Sequence, residues 1–212
     1  MQFSSKILDT YFAPNISELR SAVIPEIPIA VDQRLSFALN HALGAKRFKH
    51  VGHLATIGAA MSHHVTANRE YLNAREGVNA SIHNLPEHAH LYKLTKAISH
   101  FETCILHCHI SALCLHNIHV ALVPSADSKI YSDPDYEKLR VLSNRIKHFD
   151  EDMRDGINSN TPIQTYPIWL TETEVHCRDG SLAYDDLARI LVAHDDSLRF
   201  LASDFFKPAV DR

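Results

Sequence analysis

Glycine is scarce in this 212-residue chain: there are six, and none are arranged as G-x-G-x-x-G or G-x-x-x-x-G-K-[ST]. Loops that cradle phosphates with backbone N–H groups need such glycines, so Rossmann and P-loop chemistry are excluded. An excess of positive charge is also missing. Twenty-one Lys and Arg stand against twenty-five Asp and Glu, a formal charge of -4. That balance offers no broad attraction to nucleic acid or anionic lipid and leaves only local patches for such contacts. Cysteine is confined to Cys104, Cys108, Cys114 and Cys177, three of them inside one expected helix. This is no disulfide framework, and a reducing, cytoplasmic setting fits it. Met1 to Thr10 lacks a basic n-region and an apolar h-region, so a secretory signal is not expected. No Gly-x-Ser-x-Gly elbow occurs, and cysteines in apolar helical surroundings are poor nucleophiles.

Charge is absent from one long run. Thr103 to Ala126 contains no Asp, Glu, Lys or Arg, which imitates a membrane span. The run also carries His107, His109, His116, Asn117 and His119, whose polar groups are expensive in lipid. It reads as a buried bundle helix, with no membrane implied. With 45% hydrophobic and 22% charged residues, the chain fills a real core, and at about 150 residues per domain its length suits one domain with an appendage.

Periodicity gives the organisation. Residues 1–31 hold Pro14, Pro25 and Pro28 without sustained repeat and read as an N-terminal arm with one helical turn near Ile16 to Val23. Asp32 caps a first helix with Leu35, Leu39 and Leu43 as its stripe and Gly44 as its stop. A second helix runs from about Lys49 to residue 77 on Leu54, Ile57, Met61, Val65 and Leu72. A third starts near Pro86 and carries Leu94, Ile98, Phe101, Ile105, Cys108, Ala112 and Leu115 on to Leu122. Asp133 and Pro134 open a fourth, expected over 135–155, with the stripe Tyr136, Leu139, Leu142, Ile146, Phe149 and Met153. Tyr166 to Thr171 and Glu174 to Cys177 read as two short strands before an Arg178-Asp179-Gly180 turn, with Trp169 and Tyr166 anchoring them to the core. Leu182, Leu187, Ile190, Leu191, Leu198 and Leu201 mark a closing helix. The fold class is therefore mainly α: an antiparallel helical bundle over 32–156, with a small C-terminal β-hairpin and closing helix over 162–206 packed on it as a single domain.

What is abundant is histidine, at sixteen residues. On the fourth helix Arg140, Asn144 and His148 follow at four-residue steps along one face, with Arg145 and Lys147 beside them. A base, an amide and several cations on one surface suit a phosphodiester, with His148 transferring protons and the cations offsetting charge on the phosphorane. An ordinary solvated amphipathic face has the same composition.

Asn144 to Phe149 resembles the motif segment of HEPN domains, helical bundles in which an Arg-Asn-x-x-x-His pattern marks metal-independent ribonucleases. Asn144 and His148 fall at the family's separation, and the family's arginine position is Ser143, with Arg140 and Arg145 nearest. The resemblance implies a protein that binds or cleaves RNA or a nucleotide without a cofactor. His148, Asn144, Arg145 and Arg140 would be its catalytic set, and Lys147, Arg140 and Arg145 its RNA contacts. It also implies a homodimer and, by likeness to the family's toxins, an antitoxin-like protein partner.

Two other readings stand beside it. One is a noncatalytic helical interaction or dimerisation module. The other is a metal-binding bundle in which His100, Cys104, His107 and Cys108, at three- and four-residue spacings, supply zinc-type ligands, with His50, His53, His63 and His64 available on the second helix. His194-Asp195 resembles a phosphohydrolase dyad but, without further placed ligands, reads as an exposed helix end.

Overall fold

The computed structural model describes residues 19, 21–42, 51–82, 91–123, 133–151, 153, 154 and 166–203. The protein is mainly α. Helices α1 (Arg34–Ala42), α2 (Val51–Ile82), α3 (Leu91–Leu122) and α4 (Pro134–Lys147) precede strands β1 (Trp169–Leu170), β2 (Glu174–Cys177) and β3 (Gly180–Ala183), and α5 (Tyr184–Ser203) closes the chain.

The frame is the pairing of α2 with α3, each 32 residues and so about 48 Å long at 1.5 Å per residue. Small residues let them approach: Ala60, Ala67, Ala74 and Ala97 are wholly buried. At Gly77 a methyl group would sit 3.0 Å from the Ala97 Cβ. That contact explains why a glycine lies inside α2, which continues to Ile82 beyond its expected end at residue 77. The expected stripe on α3 is the buried one, from Leu94 through Ile98, Phe101, Ile105 and Cys108 to Ala112. By length and composition α3 is apolar enough to cross a membrane, which is weak evidence for one helix alone; here it packs against α2, α4 and α5.

Two cores result. The larger centres on the rings of Tyr71, Phe101 and Tyr184, with Tyr71 edge-on to Phe101 at 6.1 Å between centroids and Phe101 tilted on Tyr184 at 5.6 Å. The smaller joins Phe37, Ile57, Met61, Ile118, Leu198 and Leu201 at the α1 end. On α1 the expected stripe is corrected: Leu35 and Leu39 are exposed and Phe37 is buried. The helix is anchored by the Phe37 ring on the face opposite them, while Asp32 accepts the Arg34 N–H and pairs with its guanidinium. Leu43 and Gly44 lie outside the described residues.

Before α1, a proline-bearing strap crosses α2. A single helical turn is closed by the Ala22 N–H on the Leu19 carbonyl, 3.1 Å. Tyr71 Oη donates to the Pro25 carbonyl, Arg75 Nε to that of Ile24, and Asn68 Nδ2 to that of Pro28, while the Ala30 N–H donates back to Asn68 Oδ1.

The C-terminal sheet has three strands where two were expected, ordered β1-β2-β3 and antiparallel throughout. Arg178 and Asp179 reverse the chain, and Leu182, expected in the closing helix, instead pairs with Val175 in β3. Alternation puts Val175, Cys177 and Leu182 into the core. Trp169 and Tyr166 pack against that core as expected, Trp169 also stacking on His176. α5 follows β3 with no connecting residue. Its first residue is tied to the sheet twice, the Tyr184 N–H on the Thr173 carbonyl and the Tyr184 hydroxyl on that of Thr171.

Replacing Gly77 by valine is expected to destabilise the protein by about 1–3 kcal/mol, the usual cost of overpacking, because its branched side chain meets the Ala97 Cβ and the Lys93 carbonyl. A lowered urea midpoint with an unchanged slope would report it.

Candidate functional site

Sequence chemistry defines both ends of α4. Asp133 caps it by accepting the Asp135 N–H, Pro134 occupies the first helical position, and Asp135 and Glu137 sit at the positive end of the helix dipole. Arg145 and Lys147 occupy the last turn. The helix ends at His148, whose backbone leaves helical geometry at φ -106° and ψ 18° while its N–H still donates to the Asn144 carbonyl. Helical turns resume at residue 149, so the continuous helix expected to residue 155 is broken at the histidine.

The break leaves the His148 side chain 60% exposed, with its Nδ1 3.4 Å from a carboxylate oxygen of Glu151. Lys147 is exposed beside it, and Asn144 is half-buried one turn earlier. The arginines have carboxylate neighbours. Arg140 makes a two-pronged contact with Glu137, and Arg145 lies 3.7 Å from Asp179 in the β2–β3 turn. Ser143 is wholly buried, and its hydroxyl has no hydrogen-bond partner among the described residues. On α3, beneath α4, His109 is buried and held neutral, its pKa pushed down to about 4 by burial and by the positive charges of Lys147 and Arg140.

The four residues considered as metal ligands do not converge. Cys104 and Cys108 face the core at 0% exposure, where burial drives both thiols up, Cys108 to about 12. His100 Nδ1 lies 2.5 Å from Glu70. Burial pushes the Glu70 carboxyl up, but hydrogen bonds from Arg69 and His100 outweigh it and hold its pKa down. His107 turns to α2 and meets His63, Nδ1 to Nδ1, at 2.7 Å. His64 lies elsewhere, near Asp195, and His50 is outside the described residues. Among the described residues no three His, Cys, Asp or Glu side chains form a group able to hold a metal ion.

Other groups surfaced only in three dimensions. His194, expected at an exposed helix end, is 2% exposed. Its Nε2 is 3.1 Å from the Tyr136 hydroxyl, the two rings are stacked, and its Nδ1 has no hydrogen-bond partner among the described residues. Behind it lies His64, likewise 2% exposed, with Nε2 3.5 Å from Asp195. Burial and the neighbouring His64 depress the His194 pKa to about 3. Burial also lowers that of His64, against the pull of Asp195. On α3, burial raises the Glu102 carboxyl to about 7, and its Oε1 is unpartnered among the described residues. The sequence marks His194 through its pairing with Asp195 and His64 only as a spare ligand, and it gives no sign that the two meet; Glu102 has no signal at all.

Compared with family models, curated proteins and solved structures, the chain matches none.

Two outcomes are expected. Unfolded histidine takes up a proton near pH 6.5, whereas folded His194 resists it down to about 3. Stability should therefore be full above about pH 6.5 and fall as the pH drops through this window, by on the order of 1 kcal/mol per unit. Denaturant titrations of His194→Gln should show a flatter slope over that range. Ser143→Ala should be neutral or stabilising by about 1 kcal/mol, since it removes a buried unpaired hydroxyl, while Ser143→Arg should unfold much of the protein by burying a charge. Calorimetric Tm values check both.

Proposed function

We propose that this chain is a HEPN-like helical module that engages RNA through the solvent face at the C-terminal end of α4. The observation that carries the reading is the break of α4 at His148, which presents an exposed imidazole beside Lys147 with a Glu151 carboxylate oxygen 3.4 Å from Nδ1. A carboxylate near one ring nitrogen leaves the other available to a phosphate or a ribose hydroxyl, as general acid–base chemistry needs. The Asn144 backbone carbonyl accepts the His148 N–H in the last turn of α4, which sets the asparagine side chain one turn before the imidazole. Lys147, Arg140 and Arg145 provide the phosphate contacts.

The reading favours binding over rapid cutting. Position 143, where the family carries arginine, is committed to the core, and the charges of Arg140 and Arg145 are shared with Glu137 and Asp179. An active form would cleave RNA without metal and, as a toxin-like enzyme, would call for an antitoxin-like partner. Pairing of two copies belongs to the same proposal. It is supported by the lack of any Asp, Glu, Lys or Arg from Val51 to Asn68 on α2 and from Thr103 to Leu122 on α3, an uncharged region that includes half-exposed Leu106, Ile110 and Leu113.

The test is retention of a labelled mixed-sequence RNA in EDTA. Binding at low salt should weaken steeply as salt rises and should fall several-fold in Lys147→Ala and in Arg140→Ala. Cleavage by wild-type protein that disappears in His148→Ala would identify the active nuclease. An RNA neither retained nor cut at low salt would overturn the proposal.

A further inference from the structure

At the other end of α4, Tyr136 lies twelve positions before His148, about 18 Å along the helix. There α3, the start of α4 and the end of α5 bound a cleft of about 1020 Å³, at the upper end of the range that takes small-molecule ligands. Leu115 and Leu122 of α3 and Phe200 of α5 make apolar walls. Tyr136 and His194 belong to the same lining, joined by their 3.1 Å hydrogen bond. A stacked phenol and imidazole are a costly choice where leucine would pack as well, since each polar atom taken from water must find a partner. The imidazole retains an unpartnered Nδ1 among the described residues.

Among the described residues Asp133 and Asp196 line the cleft, with the imidazoles of His116 and His119 on its α3 wall and no lysine or arginine. The Ser197 hydroxyl is already used as a donor to the Ala193 carbonyl. The Tyr136 oxygen keeps at least one lone pair whichever tautomer His194 adopts. Carboxylates and a phenol oxygen accept hydrogen bonds, and the Tyr136 and Phe200 rings favour a cation over their faces. An anionic head would meet the two carboxylates with only the His116 and His119 imidazoles to offset them.

We propose that this cleft is a binding site for a small amphipathic amine, whose apolar body lies against Leu115, Leu122 and Phe200 and whose ammonium group faces Asp196, Asp133 and the Tyr136 oxygen. The site is separate from the RNA reading and stands or falls without it.

The experiment titrates the full chain near neutral pH with three probes that share one ring system: naphthylmethylamine, naphthylmethanol and naphthoate. The amine should bind with a Kd below about 1 mM and at least about tenfold more tightly than the carboxylate, a difference of about 1.4 kcal/mol. Asp196→Asn, at an exposed position, should remove most of the preference for the amine while leaving binding of the alcohol unchanged. Leu115→Trp, which narrows the apolar wall of the cleft, should weaken binding of all three several-fold, with circular dichroism confirming that each variant is folded. Naphthoate binding as tightly as the amine, no amine binding up to about 1 mM, or amine binding unchanged by Leu115→Trp in a folded protein would each overturn the proposal.

Discussion

The close approach of α2 and α3 is the constraint on which the other elements depend. Two helices about 48 Å long run antiparallel with buried alanines on both and, at Gly77, hydrogen against methyl. Small residues at that seam send the larger ones outward to meet other elements. Tyr71 and Phe101 stand at the edge of the pair and receive Tyr184 from the C-terminal unit, while Ile57, Met61 and Ile118 receive Phe37 and the end of α5. The strap, the sheet and the remaining helices each dock on a surface that the hairpin has already shaped.

This arrangement separates the two places where chemistry is conceivable. α4 rests on the sheet through Val141 and Gly180 and on α3 through its buried face, so its two ends emerge on different parts of the molecule. One ends at a histidine in water with cations and carboxylates around it. The other begins over a histidine that the core keeps neutral. Of the two imidazoles, one lies in solvent beside a surface carboxylate and the other is governed by the cost of burying charge.

Much of the fold was legible because its signals are local. The α3 stripe from Leu94 to Ala112 has strong contrast, and the Asp133-Pro134 start of α4 announces itself through capping chemistry. The second half of α2 was harder to read, since alanines at 67 and 74 carry little hydrophobic contrast and the anchoring residue between them is a tyrosine. β3 was hidden because a four-residue strand with one apolar core residue, Leu182, merges with the helix that follows at once. Of the candidate site, the positions of Arg140, Asn144, Lys147 and His148 along one face could be read from spacing. The carboxylate partners of the arginines, and the break at His148, could not. His194 was misread for a plainer reason: its partner Tyr136 is 58 residues away in sequence, and nothing in a His-Asp pair at the end of a helix signals an aromatic ring waiting across the bundle.

The strap before α1 is held by an unusual division of labour. Side chains of Asn68, Tyr71 and Arg75 grip the carbonyls of residues 24, 25 and 28, so the recognised atoms on the strap are ones every amino acid possesses. For these hydrogen bonds the recognising side chains all lie on α2, while the strap adds Leu19, Ala22, Ile24 and Ile27 to the core. Over evolutionary time the strap's sequence can therefore drift wherever its side chains are not buried, as at Val23 and Ile29, both mostly exposed. The three gripping residues cannot drift in the same way. A comparison of relatives that tracked only the arm would see a variable linker, although its path across the helix stayed the same.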